Sequence, residues 1–492
     1  MKALSISFSK IPNFILIIVL VCVVFGVYQN SLGGNFLIDD ETAIVNNPKI
    51  QDIQKYFSES FSLHPGAFYE TLTVFFWKMS AGKPFVFHLF AVMAHSLNAA
   101  LVFILCNALF ANKPLSFLSA LIFAVHPINT EAVSWISGSQ YAYSALFYIS
   151  AVTFYILSRK HFLYLVFSVL FFALCLFTGN AAAVLPALLI LCDLFFNIGG
   201  RAGFRKVKLA VLLSALCISG IFIAWYFFKK NTFIHMIFYY RGASYLVVAV
   251  KAFAYYLKIL YLPLARGLFH PFAFTNFDIQ RLSPAFFIGL SAMAAAVVCF
   301  FKCRRRAPAV SFGIMWFLVA YAPYSNFIPI CNIISERYMY LPCVGFAIII
   351  AALFLKVWEI INRHASLILR RLALAALTLF ICSYGALTVK RNYEYNNIIT
   401  FWETNINNFS SGYAVYNNLA ATFYKMGNIK NAITYCWINL MVNPAQPHVW
   451  CNLGMLYRQQ GQIKDAIECY QQAISIDKDY YPAHKALAEI KK

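Results

Sequence analysis

Runs of apolar residues, each close to the ~20 needed to cross the hydrocarbon of a bilayer, recur from residue 11 to residue 388 of this chain. Segments of that kind are stable as helices surrounded by lipid, because every backbone polar group must find its partner within the segment. A polytopic, all-α membrane domain is therefore expected. Composition agrees: 61% of the 492 residues are apolar and 12% are charged, against roughly 45–50% and about 25% in an ordinary soluble domain. A soluble enzyme is excluded.

The spans fall near 11–28, 85–109, 115–126, 140–158, 161–178, 181–198, 207–228, 284–301, 309–324, 338–357 and 368–388. Basic clusters lie between them, at Lys2/Lys10, Lys113, Arg159-Lys160, Arg201/Arg205/Lys206/Lys208, Lys302/Arg304/Arg305/Arg306 and Arg363/Arg370/Arg371. Such clusters favour the cytoplasmic side, and about eleven transmembrane helices place all of them there. A further crossing by the apolar run 243–264 would put the last two clusters outside. The stretch 243–283 is therefore expected to return to the side it left, as a re-entrant or interfacial segment, which needs protein or a water-filled cavity to cover its backbone.

On this topology the loops 29–84, 127–139, 229–283 and 325–337 share the non-cytoplasmic side with the tail after residue 395. The net charge of +21 then reads as topology signal and contact with anionic lipid, and nucleic acid is not an expected partner. Lys2 and Lys10 precede the first apolar run without a small-residue cleavage site after Tyr28, so an uncleaved first span is expected. The thirteen cysteines show no CxxC or Cys/His metal spacing and read as small apolar residues.

The tail repeats itself at a period of 34 residues. Tyr416, Trp450 and His484 correspond, as do Leu419, Leu453 and Leu487, Ala420, Gly454 and Ala488, and Ala432 and Ala466, with Pro444 closing the first unit. These are tetratricopeptide repeats, about 413–446 and 447–480, followed by a terminal helix 481–492. Stacked helix pairs bury their apolar faces against each other. They present a surface for an acceptor or partner protein, or else form a structural cap. The expected domains are thus 1–395, transmembrane with a first external loop 29–84, and 396–492, a non-cytoplasmic α-solenoid.

Acidic residues are few in 1–395, and half of them, Asp39, Asp40, Glu41, Asp52, Glu59 and Glu70, fall in the first external loop. The Asp39-Asp40-Glu41 triplet sets carboxylates just outside the membrane, where a base or a metal ligand could meet a lipid headgroup. The alternative is helix capping. His126-Pro127-Ile128-Asn129-Thr130-Glu131 puts an imidazole, an amide and a carboxylate at one membrane boundary, and ionisable groups at such places are functional candidates. Alone, His126 reads equally as a helix-terminal residue bonded to backbone. Arg337, in Ser335-Glu336-Arg337-Tyr338, could clamp a phosphate or pair with Glu336 or Glu131. Arg241, Arg266 and His270 lie on the 243–283 side of the chain among tyrosines that an interfacial belt also explains. No Gly-rich phosphate loop, HExxH or GxSxG is present.

Taken in order, Phe36-Leu37-Ile38-Asp39-Asp40-Glu41-Thr42-Ala43-Ile44 with Asn46-Asn47-Pro48, then His126 to Val133, then Glu336-Arg337-Tyr338-Met339-Tyr340-Leu341-Pro342 and terminal tetratricopeptide repeats resemble the transmembrane and tetratricopeptide-repeat O-mannosyltransferase family. The resemblance spans nearly the whole chain. It implies a C-type glycosyltransferase fold that uses a polyprenyl-phosphate sugar, such as the mannose donor, to glycosylate Ser or Thr outside the cytoplasm, with inversion. One carboxylate of Asp39/Asp40 would serve as general base. Arg337, His126, Arg266 and His270 would receive the donor phosphate, supported by Glu41, Asn129, Glu131 and Glu336. No cofactor is required; a carboxylate pair can hold a divalent ion, but one lipid phosphate can be balanced by side chains and no metal is expected.

The chain departs from the family at two places, with Glu70-Thr71-Leu72-Thr73 for Arg-Pro-Leu-Thr and Thr178-Gly179-Asn180 for Ser-Lys-Glu, and a cation is lost at each. An inactive membrane scaffold whose repeats recruit partners for envelope assembly is the alternative to an enzyme. A transporter is disfavoured because the charges sit at span boundaries. The expected membrane is a bacterial inner membrane with the repeats in the periplasm, or the endoplasmic reticulum with luminal repeats if the source is eukaryotic.

Overall fold

A computed structural model describes residues 8, 10–62, 64, 66–196, 208–209, 211–220, 244–263, 283–327, 330, 334–406 and 413–490. Arg241, Arg266 and His270 lie outside the described residues, as do residues 243 and 264–282 of the stretch 243–283 expected to return to the side it left. Among the described residues every regular element is a helix, and contacts divide them into a first unit that ends at Asn396 and a second that begins at Asn397.

In the first unit, five helices are long and apolar enough to cross a membrane, 13–33, Phe85–Phe110, Pro284–Cys303, Pro342–His364 and Leu367–Glu394, and a sixth span results if the bent pair Lys113–Val125 and Pro127–Ser134 is counted as one. The apolar helices Leu163–Leu176, Ala181–Phe196, Val211–Gly220 and Pro308–Tyr324 are shorter. Proline starts several helices, at Pro284, Pro308 and Pro342, where its missing N–H costs nothing and its fixed φ suits the first turn. Residues 244–261 form one continuous 18-residue helix that crosses Pro284–Cys303 closely, since a Cβ on Gly289 would come within 3.0 Å of Val250 Cγ1.

Ile18, Ile288 and Leu379 are 55%, 61% and 71% exposed on three of the long helices. Apolar faces of this kind on helices long enough to cross a bilayer suit contact with lipid. Inward faces pack on one another. Phe85–Phe110 lies against Asn13–Tyr28, Lys113–Val125 and Gln140–Leu157, and Pro308–Tyr321 lies against Pro342–His364. That last crossing is tight, because a Cβ on Gly313 would stand 2.7 Å from the Gly345 carbonyl oxygen.

A buried polar network ties the core together. The Tyr340 hydroxyl is 2.6 Å from His95 Nδ1, His95 Nε2 is 3.1 Å from the Ala124 carbonyl, and Asn98 Nδ2 donates to the Tyr340 hydroxyl at 3.0 Å and to the Ala142 carbonyl at 2.8 Å. One tautomer satisfies all four contacts: His95 carries its proton on Nε2 and accepts from tyrosine on Nδ1. Paired this way, polar groups lock helices to a single register at little cost.

The second unit has helices at Ile398–Asn405, Tyr413–Lys425, Ile429–Val442, Pro447–Gln459, Ile463–Ile476 and Tyr481–Ile490. The period is physical. Leu419 and Leu453 are both fully buried, as are Ala432 and Ala466. Gly427 and Gly461, also 34 apart, turn between helices with φ of 75° and 79°, a conformation glycine adopts without steric cost. Gly454 is small for a reason: a Cβ there would lie 2.7 Å from the Tyr470 ring.

Candidate active site in the first polar loop

The chain leaves its first span through a turn built around Asp40. This residue is fully buried, and its Oδ2 accepts from the Leu37 N–H at 2.9 Å while Oδ1 accepts from the Ser137 N–H at 2.8 Å and from the Ser137 hydroxyl. The Asp40 N–H in turn donates to the Leu37 carbonyl at 2.7 Å. Between them Ile38 has a φ of 40°, a left-handed conformation that a β-branched residue avoids and that costs on the order of 1–3 kcal/mol. The Asp40 bonds on both sides hold it there. Burial pushes the Asp40 carboxyl up to about 7, against the hydrogen bonds from Ser137 and Leu37 that favour its charged form.

Asp39 is turned the other way. It is exposed and lines a cleft of about 600 Å³ together with Lys49, His64, Glu70, Gln140, Tyr141 and Arg337. The elements around the cleft are fixed from several sides. Asn47 caps the Pro48–Gln51 turn by accepting from the Lys49 N–H at 3.1 Å, and its own Nδ2 donates to the Ala43 carbonyl at 3.0 Å. Tyr69, on the helix Ala67–Ser80, donates to the Ile136 carbonyl at 2.7 Å.

Arg337 forms the opposite resource. Its Nη1 donates to Glu131 Oε1 at 2.7 Å, its backbone N–H to Oε2 at 2.9 Å, and Ser335 Oγ donates to Oε1 at 2.7 Å. The guanidinium also lies 5.0 Å from the Trp135 ring centre and 5.8 Å and 5.7 Å from those of Tyr141 and Tyr338. Of the two partners left open by sequence, Glu131 is the one observed. Gly138 enables it, because a Cβ there would run into the Glu131 carbonyl. Glu336 pairs with Arg391 instead.

The remaining candidates sit as follows. His126 is fully buried, with Nε2 bonded to the Leu260 carbonyl at 3.0 Å and Nδ1 accepting from the Ile128 N–H at 3.1 Å; the structure gives it the backbone-bonded place and both ring nitrogens are occupied, so no donor is left for a phosphate. Asn129 donates to the Phe123 carbonyl at 2.8 Å and supports the same bend. Glu41 opens the Glu41–Val45 turn beside Asp40. Neither lines the cleft.

The segments that carry the two departures from the family pattern are joined through residues next to them. The N–H groups of Gly66 and Phe68, at the start of the helix that bears Glu70, donate to the Phe177 carbonyl at 3.0 and 3.1 Å. Glu70 itself faces His64, with Nε2 to Oε2 at 3.3 Å. No group of three or more His, Cys, Asp or Glu able to hold a metal occurs among the described residues.

Lys49, His64, Ser137, Tyr141 and Arg391 were not singled out in the sequence. Arg391 had a usable signal, as a cation at the outer end of the last apolar run. The others are ordinary loop and helix residues until folding gathers them.

Fold and site together define a polytopic helical membrane protein with an acidic first-loop cleft and a tetratricopeptide tail. Comparison with known proteins agrees. The tetratricopeptide repeat model matches residues 447–480. The protein O-mannosyl-transferase TMTC3 of Mus musculus is 24% identical across 97% of this chain and 56% of its own length. The protein O-mannosyl-transferase F38B6.6 of Caenorhabditis elegans is 24% identical across 92% of this chain and 61% of its own. Human protein O-mannosyl-transferase TMTC1 reaches 33% identity, over 25% of this chain and 16% of its own length. The chain is thus similar over nearly all of its length to proteins named protein O-mannosyl-transferase, and it spans little more than half the length of the curated relatives it matches across most of its sequence.

Proposed function

We propose that this chain is an integral-membrane glycosyltransferase that moves a sugar, mannose in view of its relatives' names, from a polyprenyl-phosphate donor to Ser or Thr hydroxyls of proteins on the non-cytoplasmic side. The observation that carries the reading is the pairing of an exposed carboxylate, Asp39, with the immobilised Arg337 guanidinium in one cleft. In the reaction the acceptor oxygen bonds to the anomeric carbon as the bond from that carbon to the phosphate oxygen breaks. The acceptor proton passes to Asp39, and polyprenyl phosphate leaves toward Arg337, which lines the same cleft. Attack opposite the leaving group inverts the anomeric carbon. Asp40 holds the turn that presents Asp39 and acts as a positioning residue. The tetratricopeptide unit binds the acceptor or a partner protein along its stacked helices.

Transfer of labelled mannose from polyprenyl-phosphate mannose to protein, by the full chain in nanodiscs, tests this. Wild type transfers and Asp39→Asn does not; equal transfer by both refutes the assignment. A reporter fused after Lys492 checks the expected side of the repeats and reads non-cytoplasmic.

The second reading, a membrane scaffold, is favoured by the acidic Glu70 on the cleft wall, where a phosphate would meet like charge. It predicts that deletion of 397–492 removes the cellular phenotype while Asp39→Asn leaves it intact.

A further inference from the structure

The cleft carries three cationic or protonatable side chains, and two of them face carboxylates. Arg337 is bonded to Glu131, and His64 faces Glu70. A lipid phosphate entering beside Asp39 would therefore bring negative charge into a wall whose charges are already largely matched. Lys49 is the exception. It is exposed and lines the same cleft, and no carboxylate pairs with its ammonium among the described residues.

Its neighbours explain why. Asp52, the carboxylate nearest in sequence, is turned to accept from the Gln54 and Lys55 N–H groups at 2.9 and 3.1 Å. The turn that bears Lys49 is itself held: Pro48 opens it, Asn47 caps it, and Ile50 is buried beneath it. An ammonium on a four-carbon stem is a point charge suited to a phosphate whose exact approach varies.

We infer that Lys49 is the cation that balances the donor phosphate in this cleft, an inference that rests on the transferase reading above. As the glycosidic bond breaks, the phosphate changes from a diester to a monoester and gains negative charge. Lys49 therefore holds the departing polyprenyl phosphate more tightly than the intact donor. Glu70 on the same wall would repel it, so the phosphate settles on the Lys49 side.

The test uses the full chain in phosphatidylcholine nanodiscs and measures binding of a short-chain polyprenyl phosphate without sugar, and of the same lipid carrying mannose. Lys49→Gln weakens both by about tenfold to a hundredfold, the size of a lost hydrogen bond to a charged group, and more for the free phosphate. Lys49→Arg retains binding. Lys55→Gln, a lysine of the next turn that does not line the cleft, leaves it unchanged. Wild-type melting of the Lys49 variants verifies that the fold is kept. Binding by Lys49→Gln as tight as wild type overturns the inference and leaves the transferase reading standing. Absence of any binding of either lipid by wild type overturns both. An equal loss of affinity for phosphatidic acid shows a general headgroup contact and overturns the donor assignment.

Discussion

Neighbouring aspartates in one turn should fail in opposite ways. Asp40→Ala removes the acceptor of two backbone N–H groups, Leu37 and Ser137, and of the Ser137 hydroxyl. Each buried donor left without a partner costs about 1–3 kcal/mol, and part of that is returned because a buried carboxylate no longer has to be desolvated. The expected loss is about 2–4 kcal/mol near pH 7.5. Ile38 is then free to leave its left-handed conformation and Asp39 loses its aim, so activity falls as a consequence of structure. Asp39→Ala touches an exposed side chain and should change stability by no more than about 0.5 kcal/mol. Its rate should fall by about 10²–10⁴, the usual worth of a general base. Melting of both variants in nanodiscs, read beside sugar transfer, separates the two. An Asp39→Ala protein that melts early, or an Asp40→Ala protein that melts like wild type, refutes the division of labour.

Three further outcomes follow from the geometry. Glu131→Gln leaves the Arg337 charge without its partner in a largely buried place and should destabilise by about 3–5 kcal/mol; Glu131→Gln with Arg337→Met should recover much of that in a melting assay, though not activity. Because burial lifts the Asp40 carboxyl to about 7, above its unfolded value of about 4, its contribution to stability is present in full below about pH 4 and is lost as pH rises through 7. Melting of wild type should therefore decline from pH 6 to 8 more steeply than that of Asp40→Asn. In the tail, Leu453→Ala empties a fully buried position and should cost about 2–5 kcal/mol, read as earlier loss of protease resistance in the repeats while the first unit stays protected.

Sequence patterns disclosed whatever depends on local period. Apolar runs announced the helices, and the 34-residue recurrence located the repeat down to Gly454 and Ala466. The acidic loop was legible because carboxylates are scarce elsewhere in the first 395 residues. Contacts between distant segments were not. Whether Arg337 meets Glu131 or Glu336 depends on how the bend after Val125 packs on the turn before Pro342, which no spacing encodes. His126 showed both of its possible fates in sequence, and the choice came from the Leu260 carbonyl, 134 residues away. The single helix over Ser244–Tyr261 was readable as an apolar run, but charge counting alone does not set its path.

The arrangement of charge explains why so polar a site can stand at the edge of an apolar domain. A buried ion is tolerated when its partner and its spare hydrogen bonds are supplied together. Glu131 receives three donors, and Arg337 receives Glu131 and three aromatic faces. This makes Arg337 rigid but nearly neutral as a unit, which suits it to orient a phosphate and leaves it a poor source of net charge. Asp40 is likewise committed to backbone. Of the described residues on the cleft, Asp39 and Lys49 are exposed, one negative and one positive, and both are carried by turns whose backbones are hydrogen-bonded. In the transfer proposed above, a displacement at a sugar carbon requires a proton acceptor and a cation for the leaving phosphate, the roles proposed for Asp39 and Lys49.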